Sequence, residues 1–416
     1  MERRCQALPH GIRTHPQRHL SPLRTALALP RNAPSSEPPK EPMPPHVESL
    51  LRDALQRVAP GTALREGLER ILRGRTGALI VLGDGKAVAD LSAGGFAINT
   101  EFTPARLREL AKMDGGIVLS RDASEIRSAA VHFMPVSDRE ATESGTRHRT
   151  AEHISVVTGL PVITVSASMN IIALFVDGRR HTLDRPEVIL DRANQALNTL
   201  ERYRERLESV MDHLTSQELE GSASVRDLAL ALQRQEMVRR IIAEISSYAL
   251  ELGTEGRLVT LQLEELAAGT EGNTETLLRD YAALRLLAAD AGPRLPAGLE
   301  YLLDAGLEED EVIARQSASL AELSNADLVD LGCVAQILGA NPGTSSIDQV
   351  VEPRGLRLLG HVRNLPRAVA ERIAEQLGGL PGLLAAETSE LKAVEGVGEH
   401  RARIIRETLG RIAEHH

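Results

Sequence analysis

Thr103-Pro104-Ala105-Arg106-Leu107-Arg108-Glu109-Leu110-Ala111-Lys112-Met113-Asp114-Gly115-Gly116-Ile117-Val118-Leu119 decides the fold class. Thr103 is an N-cap residue, Pro104 suits the first helical position, and Leu107, Leu110 and Met113 return at helical spacing. Asp114-Gly115 then turns the chain into Ile117–Leu119, a short β-rich run. Outward from this stretch the alternation continues. Upstream, His46 to Leu72 carries helical apolar spacing (Leu50, Leu51, Leu55, Val58, then Leu64, Leu68, Ile71, Leu72) before a β-rich run at Ala78–Leu82. Downstream, Val131–Val136, Pro161–Val165 and Ile171–Val176 are bounded by Gly or polar turns. A helix from about Thr150 to Val157 ends at Gly159, a favoured residue just past a helix end. Residues 46–186 are therefore expected to form an α/β domain, a mixed sheet flanked by helices.

The rest of the chain changes texture twice. Over 187–350 it reads as an all-α linker domain. Ala193, Ala196, Leu200, Tyr203, Leu207, Val210 and Leu214 alternate by three and four, which predicts a long helix with one apolar seam. A second helix follows Ser224 and runs to Gly253. Over 351–416 two helical stretches, Pro366–Leu377 and Glu399–Ile412, each adjoin a Gly-containing hairpin, taken as Gly378–Gly382 and Glu395–Gly398. This tandem helix-hairpin-helix is the internal repeat of the chain, again all-α. Residues 1–45 hold about half of the 21 prolines together with Arg3, Arg4, Arg13, Arg18, Arg24 and Arg31. That composition predicts a disordered extension, with Met43 as the alternative start of the protein.

Composition narrows the function. The chain has 416 residues, a net charge of −10, 2% aromatics and no Trp. Base-stacking modules that need Phe, Tyr or Trp are disfavoured, and any nucleic-acid contact must be local. Cys5 and Cys333 are too few for a disulfide framework or a four-thiolate zinc site. No apolar run approaches the roughly 18 residues of a membrane helix. A soluble, reducing-compartment protein without a membrane partner is expected.

Two local anomalies carry the chemistry. Asp114 closes the Thr103–Met113 helix, where a carboxylate has the wrong sign for the macrodipole. Gly145-Thr146-Arg147-His148-Arg149-Thr150 sets cations at the start of the next helix, again the wrong sign. A generic Asp-Gly turn and a solvated basic loop are the plain alternatives. A nucleoside triphosphate with its metal resolves both at once, with phosphates on Arg147, Arg149 and the helix amides and a cation or hydroxyl at Asp114. Gly83-Asp84-Gly85-Lys86 lacks phosphate-loop spacing, and His132, His153 and His181 have no metal-ligand partners in sequence, so they are read as structural or surface residues. In the second hairpin Gly396, Val397 and Gly398 bring backbone close to a phosphate, with Lys392, Arg401 and Arg403 nearby. From Pro353 onward ten Lys/Arg stand against eight Asp/Glu, unlike the acidic whole. Such hairpins contact phosphates without reading bases, unless they serve only for packing.

Phe102–Leu107, the Asp114-Gly115 turn and Gly145–Thr150, followed by the helical middle and the hairpins, resemble the diadenylate cyclases that carry a C-terminal helix-hairpin-helix domain. The resemblance covers the chain from about residue 47. It implies condensation of two ATP to cyclic di-AMP with release of two pyrophosphates, in a homo-octamer whose cyclase domains meet face to face. It further implies that Asp114 activates the ribose 3′-hydroxyl with Mg²⁺ or Mn²⁺ and that Gly115 packs on the nucleotide. Phe133 would line the base pocket, and Thr146, Arg147, His148, Arg149, Thr150 and Ser166 would hold the phosphates. Branched or damaged DNA would bind the hairpins, and deleting 353–416 should remove that binding and leave synthesis intact. Two positions depart from the family pattern. Gly116 replaces an Ala, loosening the turn by about 0.5–1 kcal/mol, and Phe133 stands where the pocket is usually aliphatic. The competing readings are a DNA-binding scaffold whose ATP site senses without cyclising, and transfer of AMP to a protein or nucleic-acid end.

Overall fold

A strand without a polar face must be covered on both sides, and Ala78–Leu82 is buried at every position. The computed structural model describes residues 44–135, 143, 145–270, 272–281, 309–339 and 347–415. The Pro/Arg-rich extension lies outside the described residues except for Pro44 and Pro45. The first domain contains α1 (Pro45–Val58), α2 (Ala63–Arg73), β1 (Ala78–Leu82), α3 (Lys86–Leu91), β2 (Ser92–Ala93), β3 (Phe96–Glu101) and α4 (Pro104–Leu110). It continues with β4 (Gly116–Leu119), β5 (Glu125–Phe133), α5 (Thr146–Thr158), β6 (Val162–Ser166), β7 (Ile171–Val176) and β8 (Arg179–Leu183). The sheet runs β2-β5-β4-β1-β6-β7-β8, with β3 also paired to β5. Only β1 and β4 are parallel, so the sheet is mixed. Leu79, Val81, Val118, Val131, Val162 and Phe175 pack against Ala151 and Ile154 of α5. The alternate residues Ile80, Ile117, Ile163 and Leu174 are equally buried, and α2 and α4 lie against the sheet.

Several sequence expectations shift. The helical spacing over 46–72 resolves into two helices separated at Ala59-Pro60-Gly61, where Gly61 takes φ +85° and Thr62 recaps the chain by accepting from the Arg65 amide. The strand expected at Val131–Val136 starts at Glu125 and ends at Phe133, and Val136 lies outside the described residues. Helix α4 ends at Leu110 rather than Met113. Helix α5 starts at Thr146, with Gly145 as N-cap, rather than at Thr150, and does end on left-handed Gly159.

In the linker α6 (Pro186–Leu219) and α7 (Val225–Leu252) fold back on each other. Ala193, Leu200, Leu207 and Leu214 are buried along the expected seam, and a Ser224–Asp227 capping box starts α7. At 34 residues, α6 spans about 51 Å. α8 (Arg257–Ala267), α9 (Asn273–Asp280), α10 (Glu309–Glu322), α11 (Asn325–Val329) and α12 (Leu331–Ile337) complete the described part of this module. The C-terminal module has its own core and comprises α13 (Leu356–Leu359), α14 (Arg367–Leu377), α15 (Leu380–Ala385), α16 (Thr388–Ala393) and α17 (Glu399–His415).

The first hairpin is not where the sequence reading put it. Gly378 and Gly379 are the left-handed exit of α14, and Leu380, Pro381 and Gly382 already belong to α15. The counterpart of Val394–Gly398 is Val362–Pro366, on the other side of α14. In both, the fourth residue's amide donates to the first residue's carbonyl, Leu365 to Val362 (3.4 Å) and Val397 to Val394 (3.1 Å). The third residue is left-handed in each, Asn364 at φ +57° and Gly396 at +91°. Asn stands in for Gly because its short polar side chain tolerates that region.

Candidate functional site

Strand register gathers one end of the sheet into a row. β1 and β4 pair at Ile80–Ile117, and β1 and β6 pair at Ala78–Val165. Gly77, one residue before Ala78, therefore stands at the same end of the sheet as Ser166 and the Asp114–Gly115 bend that leads into β4. On the far side Gly116 pairs with Val131, and Phe133 follows two residues on, pointing to the face that α5 covers. Asp114, Phe133 and Ser166 thus reach one end of the sheet from three different strands or their approaches.

Each member is fixed by an identifiable local cause. Asp114 is exposed in the bend that follows α4. Because α4 is capped at Ala111, Asp114 stands beyond the last turn, and the macrodipole penalty inferred from sequence does not apply to it. Gly115 has φ +107°, and a side-chain carbon there would lie 2.7 Å from the Ala130 carbonyl carbon and 2.9 Å from the Val131 oxygen. Its bare face is thus turned to the backbone of β5. The Ser166 hydroxyl lies 3.3 Å from that of Ser168 and accepts from the Met169 amide at 3.4 Å.

Helix α5 opens over this row with no acid in its first turn and no side-chain cap at Gly145. Its first amides and the exposed Thr146, Arg147 and Arg149 form a positive end suited to an anion. The Arg147 guanidinium reaches the start of β1, where it lies over Gly77. His148 turns the other way. It is 7% exposed, and its ring sits 6.0 Å from that of Phe175. Burial pushes its pKa down, aided by Arg180 and Arg147 and opposed by Glu143, so the ring is neutral near neutral pH. The Thr150 hydroxyl donates to the Thr146 carbonyl at 2.9 Å. The structure therefore sets Asp114, Phe133, Arg147 and Ser166 at one end of the sheet and places the His148 ring in the interior. Gly77 went unnoticed in the sequence; its one signal is a glycine directly before an apolar strand.

Among the described residues no three His, Cys, Asp or Glu side chains are grouped to hold a metal ion. A single exposed carboxylate still fits Mg²⁺ or Mn²⁺, since such ions take one or two protein carboxylates and complete their shell with water and substrate phosphates. Asp114 is the residue that would hold such an ion.

At the C-terminus Val394 and Val397 are buried in the module's core, which leaves Glu395, Gly396 and Gly398 at the surface. Lys392 pairs with Glu399 at 3.1 Å, Arg372 with Glu395 at 3.2 Å, and Arg401 donates to the Gly396 carbonyl. Arg403 lies along α17 near Glu407, at 3.7 Å. In the first hairpin the exposed Arg363 occupies the place of Glu395, so the hairpin missed in the sequence has the more basic tip.

A mixed sheet whose end carries a carboxylate, an aromatic ring and the positive start of a helix, continued by a helical linker, is an arrangement suited to an anionic nucleotide, with helical modules appended. Residues 65–180 match the family model described as DisA bacterial checkpoint controller nucleotide-binding, and 183–347 match the DisA bacterial checkpoint controller linker region. The DNA integrity scanning protein DisA of Kineococcus radiotolerans is 51% identical over 88% of this chain and 96% of its own length. The protein of that name from Streptomyces coelicolor is 48% identical over 88% and 93%. The chain belongs to the DisA family, with a diadenylate-cyclase-type nucleotide-binding domain. Among the described residues no helix is long and apolar enough to cross a membrane.

Proposed function

We propose that this protein condenses two ATP molecules to cyclic di-AMP, releasing two pyrophosphates, and that its C-terminal hairpins bind branched or damaged DNA. The observation that carries the first part is the convergence of Asp114, Phe133, Arg147 and Ser166 at one end of the sheet, beneath the start of α5. Arg147, Arg149 and the first α5 amides hold the triphosphate, Phe133 meets the base, and the Asp114 carboxylate accepts a hydrogen bond from the ribose 3′-hydroxyl and orients it for attack on an α-phosphate. A divalent ion held by Asp114 supplies charge neutralisation when bound. In-line attack of this kind needs positioning and charge stabilisation more than covalent help. One protomer offers one such end, so closing a ring from two nucleotides requires a second copy face to face, within a homo-octamer.

For the hairpins, paired left-handed turns at Asn364 and Gly396 present backbone to phosphates, and binding should weaken steeply with salt. The reaction is tested by incubating the protein with ATP and Mg²⁺ or Mn²⁺ and reading products by mass spectrometry beside Asp114→Asn. Cyclic di-AMP from the parent, reduced on the order of a hundredfold or more in the variant, is expected. A folded oligomer giving no cyclic product with either metal would instead favour a DNA-binding scaffold that senses ATP.

A further inference from the structure

The end of the sheet is bare at two points, and in both a side chain from another element fills the space. A side-chain carbon at Gly77 would stand 2.8 Å from Cζ and 3.1 Å from Nη2 of Arg147. One at Gly116 would stand 2.9 Å from Cδ2 of Phe133 and 3.3 Å from the Leu79 carbonyl oxygen. Neither glycine is among those with positive φ, in contrast to Gly115, so space and not backbone freedom is what a side chain would violate. Gly77 directly precedes β1 and Gly116 opens β4, at the end of the sheet where Asp114 lies.

We infer that Gly77 and Gly116 are positioning residues of the nucleotide pocket, a reading that rests on the function proposed above. Gly77 lets the Arg147 guanidinium lie across the start of β1, on the phosphate side. Gly116 lets the Phe133 ring lie on the floor of the pocket, on the purine side. The two departures from the family pattern, at 116 and at 133, thereby become one exchange, because the room of the absent methyl is the room the ring occupies. An alanine at 116 demands a smaller side chain at 133, and an alanine at 77 displaces the guanidinium.

Two double-mutant cycles on the full-length chain test this, reading kcat and KM for ATP, binding of inorganic tripolyphosphate, and melting temperature. Gly116→Ala should lower kcat/KM for ATP about tenfold and leave tripolyphosphate binding unchanged, and Phe133→Leu in the same chain should restore most of the loss. Gly77→Ala should weaken ATP and tripolyphosphate alike by about tenfold and have no further effect once Arg147→Ala is present. Losses that simply multiply in either cycle would overturn the assignment of that glycine. If Gly116→Ala does not fold, Phe133→Leu alone decides: ATP affinity must fall while tripolyphosphate binding holds, and a loss of both sinks the idea. A parent chain that binds neither ATP nor tripolyphosphate would overturn the nucleotide reading itself, a different result from additive cycles.

Discussion

His148 shows how far a single residue can be read in sequence. Arg147, His148 and Arg149 look like one basic cluster as long as the helix is thought to begin at Thr150. With α5 starting at Thr146, His148 falls on the stripe of Ala151, Glu152 and Ser155, the buried face at helical spacing. The arginines on either side project outward. Asp114 and Arg147 were legible as candidates and Phe133 entered only through the family resemblance, whereas the contacts of Arg147 with Gly77 and of Phe133 with Gly116 join residues far apart in the chain and leave no local mark. His148 also makes the first domain sensitive to acid. Its folded-state pKa lies below the unfolded value, so the unfolded chain takes up a proton first, and stability present above about pH 6.5 is lost as the pH falls. His148→Phe keeps an apolar ring beside Phe175 and removes that proton. The melting temperature of the parent should drop more than that of the variant between about pH 7.5 and about pH 5.5. Equal drops would show that the imidazole is not the titrating group.

Among elements, those with strong apolar periodicity were legible and the polar edges were not. Strands β1, β4, β6 and β7 are almost wholly buried and read directly as apolar runs. β3 and β8 lie at sheet margins with mostly exposed or half-buried residues, and nothing in Phe96–Glu101 or Arg179–Leu183 alternates clearly. The hairpin error has a similar origin. Gly378-Gly379 looks like a turn signal, and it is one, but it ends a helix; the matching hairpin hides its left-handed residue as Asn364. Asn364→Gly should therefore be neutral or stabilising by a few tenths of a kcal/mol, whereas Asn364→Val should cost about 1–2 kcal/mol. Urea unfolding followed by far-UV circular dichroism would show this. A valine variant as stable as the parent would mean that the first hairpin does not hold its left-handed turn.

Over the whole molecule, the C-terminal module is tied to the linker by a buried ionic joint, and that alters how DNA binding should be dissected. Arg357 on α13 pairs with Glu218 near the end of α6 and donates to the Thr215 hydroxyl at 2.9 Å. The Tyr281 hydroxyl donates to Glu218 at 2.6 Å, and the Asp280 carboxylate accepts from the Leu356 amide at 2.7 Å and the Arg357 amide at 3.1 Å. Deleting 353–416 would strip Glu218 of its cation and Asp280 of its donors. The deletion is therefore expected to disturb the linker as well, and substitutions at the Arg363 and Gly396 tips are the cleaner probe. Removing one partner of a buried pair costs about 3–5 kcal/mol, so Arg357→Ala should be strongly destabilising, while Arg357→Met with Glu218→Gln should recover part of the loss. The joint also responds to pH with the sign opposite to His148. Burial, then the nearby Glu218, pushes the Asp280 pKa up to about 6, against the lowering by Arg357 and the two amides. The folded chain therefore holds a proton that the unfolded chain has released. Its contribution is full below about pH 4 and is lost as the pH rises through about 6. Hydrogen exchange at the Leu356 and Arg357 amides should accordingly be better protected at about pH 5 than at about pH 7.5, once corrected for intrinsic rates, and Asp280→Asn should flatten the difference. Protection that rises with pH in the parent would place the buried proton somewhere other than Asp280.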